Sequence, residues 1–98
     1  MHTITPDQLT NELKGSTVVI DVREEWEYDE TNIGTLNIPL YELPHRIDEI
    51  EQHKQSKIVV FCRTGKRGVQ AQKYLAKNGF KKVYNLTGGI EAFLELAN

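Results

Sequence analysis

The feature that most constrains the fold of this chain is a strand, loop and helix unit built around its single cysteine. Residues 58–61 form a continuous run of β-branched and aromatic side chains, which is typical of a strand buried on both faces. Beyond the loop, apolar residues recur at helical spacing, and Gly79 predicts the end of that helix. Cys62 therefore lies in a strand-to-helix loop, residues 62–68, with glycines at its middle and end.

This loop is suited to hold negative charge on a sulfur atom. Backbone amides in such a turn can point inward together, and the positive end of the helix dipole lies beside them. Three cationic side chains, Arg63, Lys66 and Arg67, lie in the same stretch. A lone cysteine is usually a small buried hydrophobic residue. Here its neighbours favour a reactive sulfur anion at Cys62 instead.

The length of 98 residues predicts one domain, residues 1–98, that closes a single core without disulfides. One cysteine cannot form an internal disulfide, so we expect a reducing compartment and a cytoplasmic location. No apolar run approaches the ~20 residues of a membrane span, and the N-terminus lacks a signal-peptide core, so no membrane partner is expected. The three histidines are scattered, so we expect neither a metal site nor a cofactor.

The net charge of −2 hides a division along the chain. Residues 1–56 carry a net charge of −8, and residues 57–98 carry one of +6. Charge runs are usually solvated faces, but these cations adjoin a candidate nucleophile, which favours attraction of a small anionic substrate. A nucleic-acid partner is not expected, because the basic residues lack interleaved aromatics and the whole domain is slightly acidic.

The chain before the cysteine loop predicts a helix followed by a core strand. Thr5 is placed to cap the helix and Gln8 to close a capping box with it. The apolar run at residues 17–22 predicts the strand. Its end places Asp21 and Arg23 at the carboxyl edge of a sheet, where open α/β sheets bind their ligands.

The remaining segments predict alternating strands and helices. Residues 24–30 are acidic and predict a surface segment pinned by Trp26 and Tyr28. Further strands are expected at residues 36–40 and 82–86, and further helices at 43–50 and 90–97, the last with Ala97 on its apolar side. This alternation predicts an α/β fold with a central parallel β-sheet and helices on both faces.

The pattern resembles a single-domain rhodanese, a sulfurtransferase domain, over essentially the whole chain. The matching segments are residues 20–24 with 26–28, 37–40, 60–67, 79–83 and 85–90. Any one of them would be a weak indication of the family, whereas all of them in the right order are a strong one. The resemblance implies a rhodanese-like fold.

The resemblance also implies that Cys62 is the catalytic residue and carries a sulfane sulfur as a persulfide. It would take sulfur from a small anionic donor such as thiosulfate and pass it to cyanide or a thiol. The matching substrate-binding positions, whose amides would wrap the sulfur, are Arg63, Thr64, Gly65, Lys66 and Arg67. Arg67 would also fix the loop or the anion. Asp21 and Arg23 match supporting positions that shape the sheet edge.

One segment departs from the family pattern. Members often read Gly-His-Ile-Pro-Gly-Ala before the short strand, where residues 31–35 of this chain read Thr-Asn-Ile-Gly-Thr. The segment is one residue shorter and lacks the histidine and the proline. This difference changes one expected pocket wall and leaves the cysteine chemistry in place.

Two other functions remain open on the sequence. The first is cysteine phosphatase or arsenate reductase activity, but the related cysteine phosphatases place an arginine six residues after the cysteine, whereas Arg67 lies five residues after Cys62. A tighter loop suits a sulfur atom better than a phosphoryl group. The domain could also be a sulfur-relay or binding module whose partner is a protein thiol, with the acidic first half as its docking face.

Overall fold

The computed structural model describes residues 2–96, in which a five-stranded sheet carries helices on both faces. The elements in chain order are β1 (Thr3–Ile4), α1 (Pro6–Leu13), β2 (Val18–Asp21), α2 (Glu25–Glu30), β3 (Leu36–Asn37), α3 (Leu43–Arg46), β4 (Lys57–Phe61), α4 (Lys66–Lys77), β5 (Lys82–Leu86) and α5 (Gly89–Leu96). The strand order is β1-β5-β4-β2-β3, and every neighbouring pair is parallel. The expected parallel α/β fold is confirmed.

Strand β4 lies at the centre of the sheet and divides its side chains between two cores. Ile58 and Val60 point to one face, where they join a cluster that includes Leu75 of α4. Val59 and Phe61 point to the other face, where they join a cluster with residues of α1 and α5. Successive side chains of a strand face opposite sides of its sheet. A continuous apolar strand is therefore needed when both sides are covered.

The predicted helix signals before and after the cysteine loop are confirmed. The Gln8 amide donates to Thr5 Oγ1 over 3.2 Å, and the Thr5 amide donates to Gln8 Oε1 over 2.9 Å, which completes the capping box of α1. Helix α4 ends at Lys77, and Gly79 follows with φ of +92°. Both signals act within a few residues, so the local sequence determines them.

Two elements differ from the sequence prediction. The structure adds β1, in which Thr3 and Ile4 pair with Asn85 and Leu86 of β5; a two-residue strand has no periodicity to detect. The helix expected at 43–50 is α-helical only over α3, and Ile47–His53 form a 3-10 helix. A 3-10 helix repeats every three residues, so it also places Ile47 and Ile50 on one side.

The aromatic side chains of the acidic segment behave differently from each other. The expectation that both pin the segment is wrong for Trp26, which is 63% exposed, whereas the Tyr28 hydroxyl donates to the Thr35 carbonyl over 2.7 Å.

The strand expected at 36–40 is limited to β3 and ends before Pro39. The expected contribution of Ala97 to α5 lies outside the described residues. No helix in residues 2–96 has the length and hydropathy needed to cross a membrane.

Candidate active site

The thiol of Cys62 lies at the carboxyl end of β4, under the loop that leads into α4. Cys62 is 2% exposed, and its Sγ accepts hydrogen bonds from the Gly65 amide over 3.1 Å and the Gly68 amide over 3.3 Å. Helix α4 begins at Lys66, inside the stretch predicted as loop, so the sulfur is covered by a shorter loop together with the first turn of α4. Two backbone donors therefore point at the same sulfur atom.

Further amides of the loop are free to bind a ligand. Lys66 and Arg67 occupy the first positions of α4, where backbone N–H groups have no partner within the helix. Across residues 2–96, no acceptor receives the amide hydrogens of Thr64, Lys66 or Arg67. The loop therefore offers donors beyond the two that already contact Sγ.

A close approach between the loop and β5 fixes the position of Gly68. A Cβ atom on Gly68 would lie 2.0 Å from Oδ1 of Asn85, so no larger residue fits without displacing that side chain. The Asn85 amide nitrogen donates to the Gly65 carbonyl over 3.2 Å. That carbonyl also accepts from Val69 in the first turn of α4. Asn85 therefore holds the loop at the residue that donates to the sulfur.

The start of α5 holds the other end of the loop. The Ile90 amide donates to the Cys62 carbonyl over 2.8 Å, and the Glu91 amide donates to the Arg63 carbonyl over 3.2 Å. The chain can come this close only because residue 89 is glycine, since a Cβ there would lie 2.3 Å from the Arg63 carbonyl oxygen. The first amides of a helix need such external acceptors. The start of α5 thus fixes the backbone at Cys62 and at the residue after it.

Arg67 is held by a carboxylate from α2. Its guanidinium donates to both oxygens of Glu27, with nitrogen–oxygen distances of 2.6 and 3.0 Å. Hydrogen bonding to Arg67 lowers the pKa of Glu27, and the same bonds raise the pKa of Arg67. The Glu27 carboxylate also accepts from the Glu24 amide over 2.9 Å. This arrangement matches a role for Arg67 in fixing the loop, while its contact with an anion remains a prediction.

Most of the positive charge at the loop is compensated by acidic neighbours. Arg63 is exposed and pairs with Glu91 of α5 over 2.7 Å, which raises the pKa of Arg63. Of the three loop cations, Lys66 alone forms no ion pair within residues 2–96. The division of charge along the sequence therefore does not produce an equally basic surface around Cys62.

Asp21 and Arg23 form a buried pair at the neighbouring strand end. Asp21 is fully buried, and Nη2 of Arg23 lies 2.8 Å from its carboxylate. The same nitrogen donates to the Thr31 carbonyl over 2.6 Å, and the Asn37 side chain donates to the carbonyls of both residues. The pair thus ties β2 to β3 and to the segment that departs from the family pattern. Its supporting role remains a prediction.

Sequence reasoning does not identify four residues that contribute to this site. Asn85 lies at the carboxyl end of a central strand, the same signal that singles out Asp21, and could have been found in that way. Glu27 is 40 residues from its partner Arg67, a separation that leaves no spacing signal. The donors Ile90 and Glu91 become visible only once α5 is seen to pack against the loop.

A groove opens beside the loop, between α2 and the first turns of α5. Its volume is about 270 Å³, and its walls are formed by Arg23, Trp26, Glu27, Glu30, Thr31, Arg63, Ile90, Glu91 and Leu94. Arg63 belongs to both the loop and the groove, so a molecule bound in the groove would contact the loop one residue after Cys62. No group of three metal-ligating side chains occurs among residues 2–96.

Comparison with known proteins identifies the family of this arrangement. The family model of the rhodanese-like domain matches residues 5–96, nearly the whole chain. The chain belongs to the rhodanese-like domain family. A rhodanese-related protein from Thermoplasma volcanium shares this fold with a TM-score of 0.86 and 29% identity, over 98% of this chain and 93% of that one.

Two curated proteins contain a segment similar to this chain. A tRNA uridine(34) hydroxylase of Acinetobacter baumannii (strain AYE) is 36% identical over 96% of this chain and 32% of the hydroxylase. A putative sulfur carrier protein, YrkF, of Bacillus subtilis (strain 168) is 37% identical over 74% of this chain and 38% of that protein. This rhodanese-like domain therefore spans about a third of the length of these relatives.

Proposed function

We propose that this rhodanese-like domain transfers a sulfane sulfur through a persulfide on Cys62. The observation that carries the proposal is the pair of amides that donate to Sγ, together with further amides of the same stretch, those of Thr64, Lys66 and Arg67, that have no partner in residues 2–96. Conversion of the thiolate to a persulfide adds one sulfur atom and keeps one negative charge, and these unpaired amides are donors that can bind such an anion. The similarity to a putative sulfur carrier supports the same chemistry.

The first half of the proposed reaction loads the enzyme. The Cys62 thiolate attacks the outer sulfur of a donor such as thiosulfate. A new sulfur–sulfur bond forms, the bond within thiosulfate breaks, and sulfite leaves with the bonding electron pair. Lys66, as the loop cation without an ion pair among the described residues, assists the approach of the anion. Arg63, Thr64, Gly65 and Arg67 complete the proposed binding loop.

The second half regenerates the enzyme. An acceptor such as cyanide or a thiolate attacks the outer sulfur of the persulfide. The bond to Sγ breaks, and its electron pair stays on Sγ as the Cys62 thiolate. No metal or redox cofactor is needed in this scheme, because donor and acceptor supply all the atoms and electrons. We further propose that the domain works in the cytoplasm, where a reducing pool keeps a lone thiol free.

Intact-protein mass spectrometry tests the proposal directly. After incubation with thiosulfate we expect the protein mass to rise by one sulfur atom, and cyanide should remove the added mass with formation of thiocyanate. Because the chain has one cysteine, the adduct can be assigned without mapping. Cys62→Ser, which retains the shape of the site, should acquire no sulfur and show no transfer. An unloaded parent protein, or a Cys62→Ser variant that still transfers sulfur, would refute the persulfide.

A further inference from the structure

The exposed side of α2 forms a surface that the persulfide chemistry does not use. We call it the acidic face and define it as the exposed residues Glu25, Trp26, Asp29 and Glu30 of α2, with the half-buried Glu24 just before the helix. Trp26 is 63% exposed, although tryptophan carries one of the largest apolar surfaces of any side chain. It forms a wall of the groove beside the loop, together with Leu94 of α5. The face therefore combines an exposed aromatic side chain, an adjoining groove and negative charge.

The negative charge of the acidic face is not neutralised within the domain. None of its four carboxylates forms an ion pair in residues 2–96, while Glu27 on the inner side of α2 is paired with Arg67. The pKa of Tyr41 is raised, first by a hydrogen bond with Glu42 and then by nearby negative charges. These charges include Glu24 and Glu25 of the acidic face. A cationic partner would supply the missing countercharges.

The acidic face lies beside the loop that carries Cys62. Glu27 of α2 contacts Arg67, five residues after Cys62, and the groove reaches from Trp26 to Arg63 in the loop itself. A chain lying along the groove would therefore bring a side chain to the mouth of the loop. A polyanion such as RNA, or a small anionic thiol, gains nothing from four unpaired carboxylates. A positively charged polypeptide gains steering and register from them.

We propose that the sulfur acceptor is a protein segment in which a cysteine is flanked by lysine or arginine, docked on the acidic face with an apolar residue against Trp26. The proposal rests on the persulfide function and names the acceptor class for it. In the step itself, the partner thiolate attacks the outer sulfur of the Cys62 persulfide. The bond to Sγ breaks, Sγ keeps the electron pair, and the partner leaves as the persulfide.

Binding can be measured separately from sulfur transfer. Trp26 is the single tryptophan of the chain, so intrinsic fluorescence reports occupancy of the acidic face. The probe is a synthetic peptide with one serine flanked on each side by leucine and two lysines, and the control peptide carries glutamate in place of lysine. We expect the lysine peptide to change the Trp26 emission and to bind more weakly as salt increases. The glutamate peptide should give no change.

Matched variants test whether α2 is the docking element. Glu25→Gln/Glu30→Gln removes two charges from the acidic face, and Asp7→Asn/Asp48→Asn removes two exposed charges elsewhere. The first variant should bind the lysine peptide roughly threefold to tenfold more weakly than the parent, which is the range for the loss of two exposed ion pairs. The second variant should bind it as the parent does. Equal binding of both peptides, equal loss in both variants, or preferential binding of single-stranded RNA would overturn the docking proposal.

Sulfur transfer completes the test and separates it from the proposed function. Persulfidated protein is mixed with the same two peptides carrying cysteine in place of serine, and with glutathione. We expect the lysine peptide to accept sulfur fastest and to lose that advantage in Glu25→Gln/Glu30→Gln. If the protein never acquires sulfur, the persulfide function is refuted. The docking proposal is then decided by the peptide-binding measurements alone. A loaded protein that transfers equally to all three thiols refutes the docking proposal alone.

Discussion

At the scale of single residues, the contact between Gly68 and Asn85 decides how closely the loop can cover the sulfur. Asn85 is buried, and its Oδ1 has no hydrogen-bond partner among the described residues. Its amide nitrogen is committed to the Gly65 carbonyl. A buried oxygen without a partner is costly. The structure therefore retains an unfavourable polar group where it fixes the two amides that contact Cys62.

The substitution Gly68→Ala tests this contact. The new Cβ would meet Oδ1 of Asn85 at 2.0 Å, so either Asn85 rotates away from Gly65 or α4 shifts outward. We expect a loss of about 1–3 kcal/mol in the free energy of unfolding, the usual cost of overpacking, and slower loading of Cys62 by thiosulfate. Urea denaturation and the loading rate measure the two effects.

Two comparisons make the result specific. Gly15→Ala is the control, because a Cβ there makes only ordinary contact at 3.8 Å and should leave loading unchanged. In an Asn85→Ala background the clash is absent, so Gly68→Ala should cost less than in the parent chain. Equal costs in both backgrounds would mean that the loop is not packed against Asn85.

At the scale of elements, the Glu27–Arg67 pair links α2 to the loop. The Glu27 side chain is 11% exposed and that of Arg67 is 33% exposed, so the pair lies between buried and surface classes. Glu27→Gln should reduce the free energy of unfolding by about 1 kcal/mol, since solvent screens a partly exposed bidentate pair. Glu49→Gln, which removes a more exposed pair with Arg46, should reduce the free energy of unfolding by less.

The pH dependence of that loss identifies the carboxylate. The folded pKa of Glu27 is lowered, so its contribution is fully present above the unfolded value of about 4.3 and is lost as pH falls through the folded value. The difference in unfolding free energy between parent and Glu27→Gln should be constant above about pH 5 and shrink below about pH 4. A difference that grows on acidification would contradict the assignment.

The elements of the fold could be predicted from the sequence where their signals are local, whereas contacts between distant segments could not. The capping box of α1, the bounds of β5 and the position of Cys62 between β4 and α4 all follow from signals within a few residues. The partnership of Arg67 with Glu27 and the donors from α5 connect distant segments and need the folded chain. The expectation that Trp26 pins its segment is wrong, because the side chain is largely exposed. Its exposure is a property of the surface, which periodicity does not reveal.

At the scale of the whole molecule, two apolar cores share one sheet. Leu75 of α4 and Leu9 of α1 are both fully buried, on opposite faces. Because β4 contributes side chains to both cores, neither face can loosen without affecting the other. A domain of this size is expected to unfold as one cooperative unit.

Paired core substitutions test that cooperativity. Leu9→Ala and Leu75→Ala should each lower the free energy of unfolding by about 2–5 kcal/mol, a large part of the 5–15 kcal/mol that is typical of a domain. Leu13→Ala, where the side chain is 36% exposed, should cost less than about 1 kcal/mol. In all three variants, circular dichroism and Trp26 fluorescence should report one coincident transition. Separate transitions would show that the two faces unfold independently.

The anchoring of the Cys62 and Arg63 carbonyls by α5 has a consequence for protein design. Residues 62–68, transplanted alone between a strand and a helix of another scaffold, would leave those carbonyls without the Ile90 and Glu91 donors. A working graft must also carry the segment from Asn85 to Glu91, with glycine at position 89. The seven residues 62–68 therefore depend on a second segment, residues 85–91, and the two segments must be transplanted together.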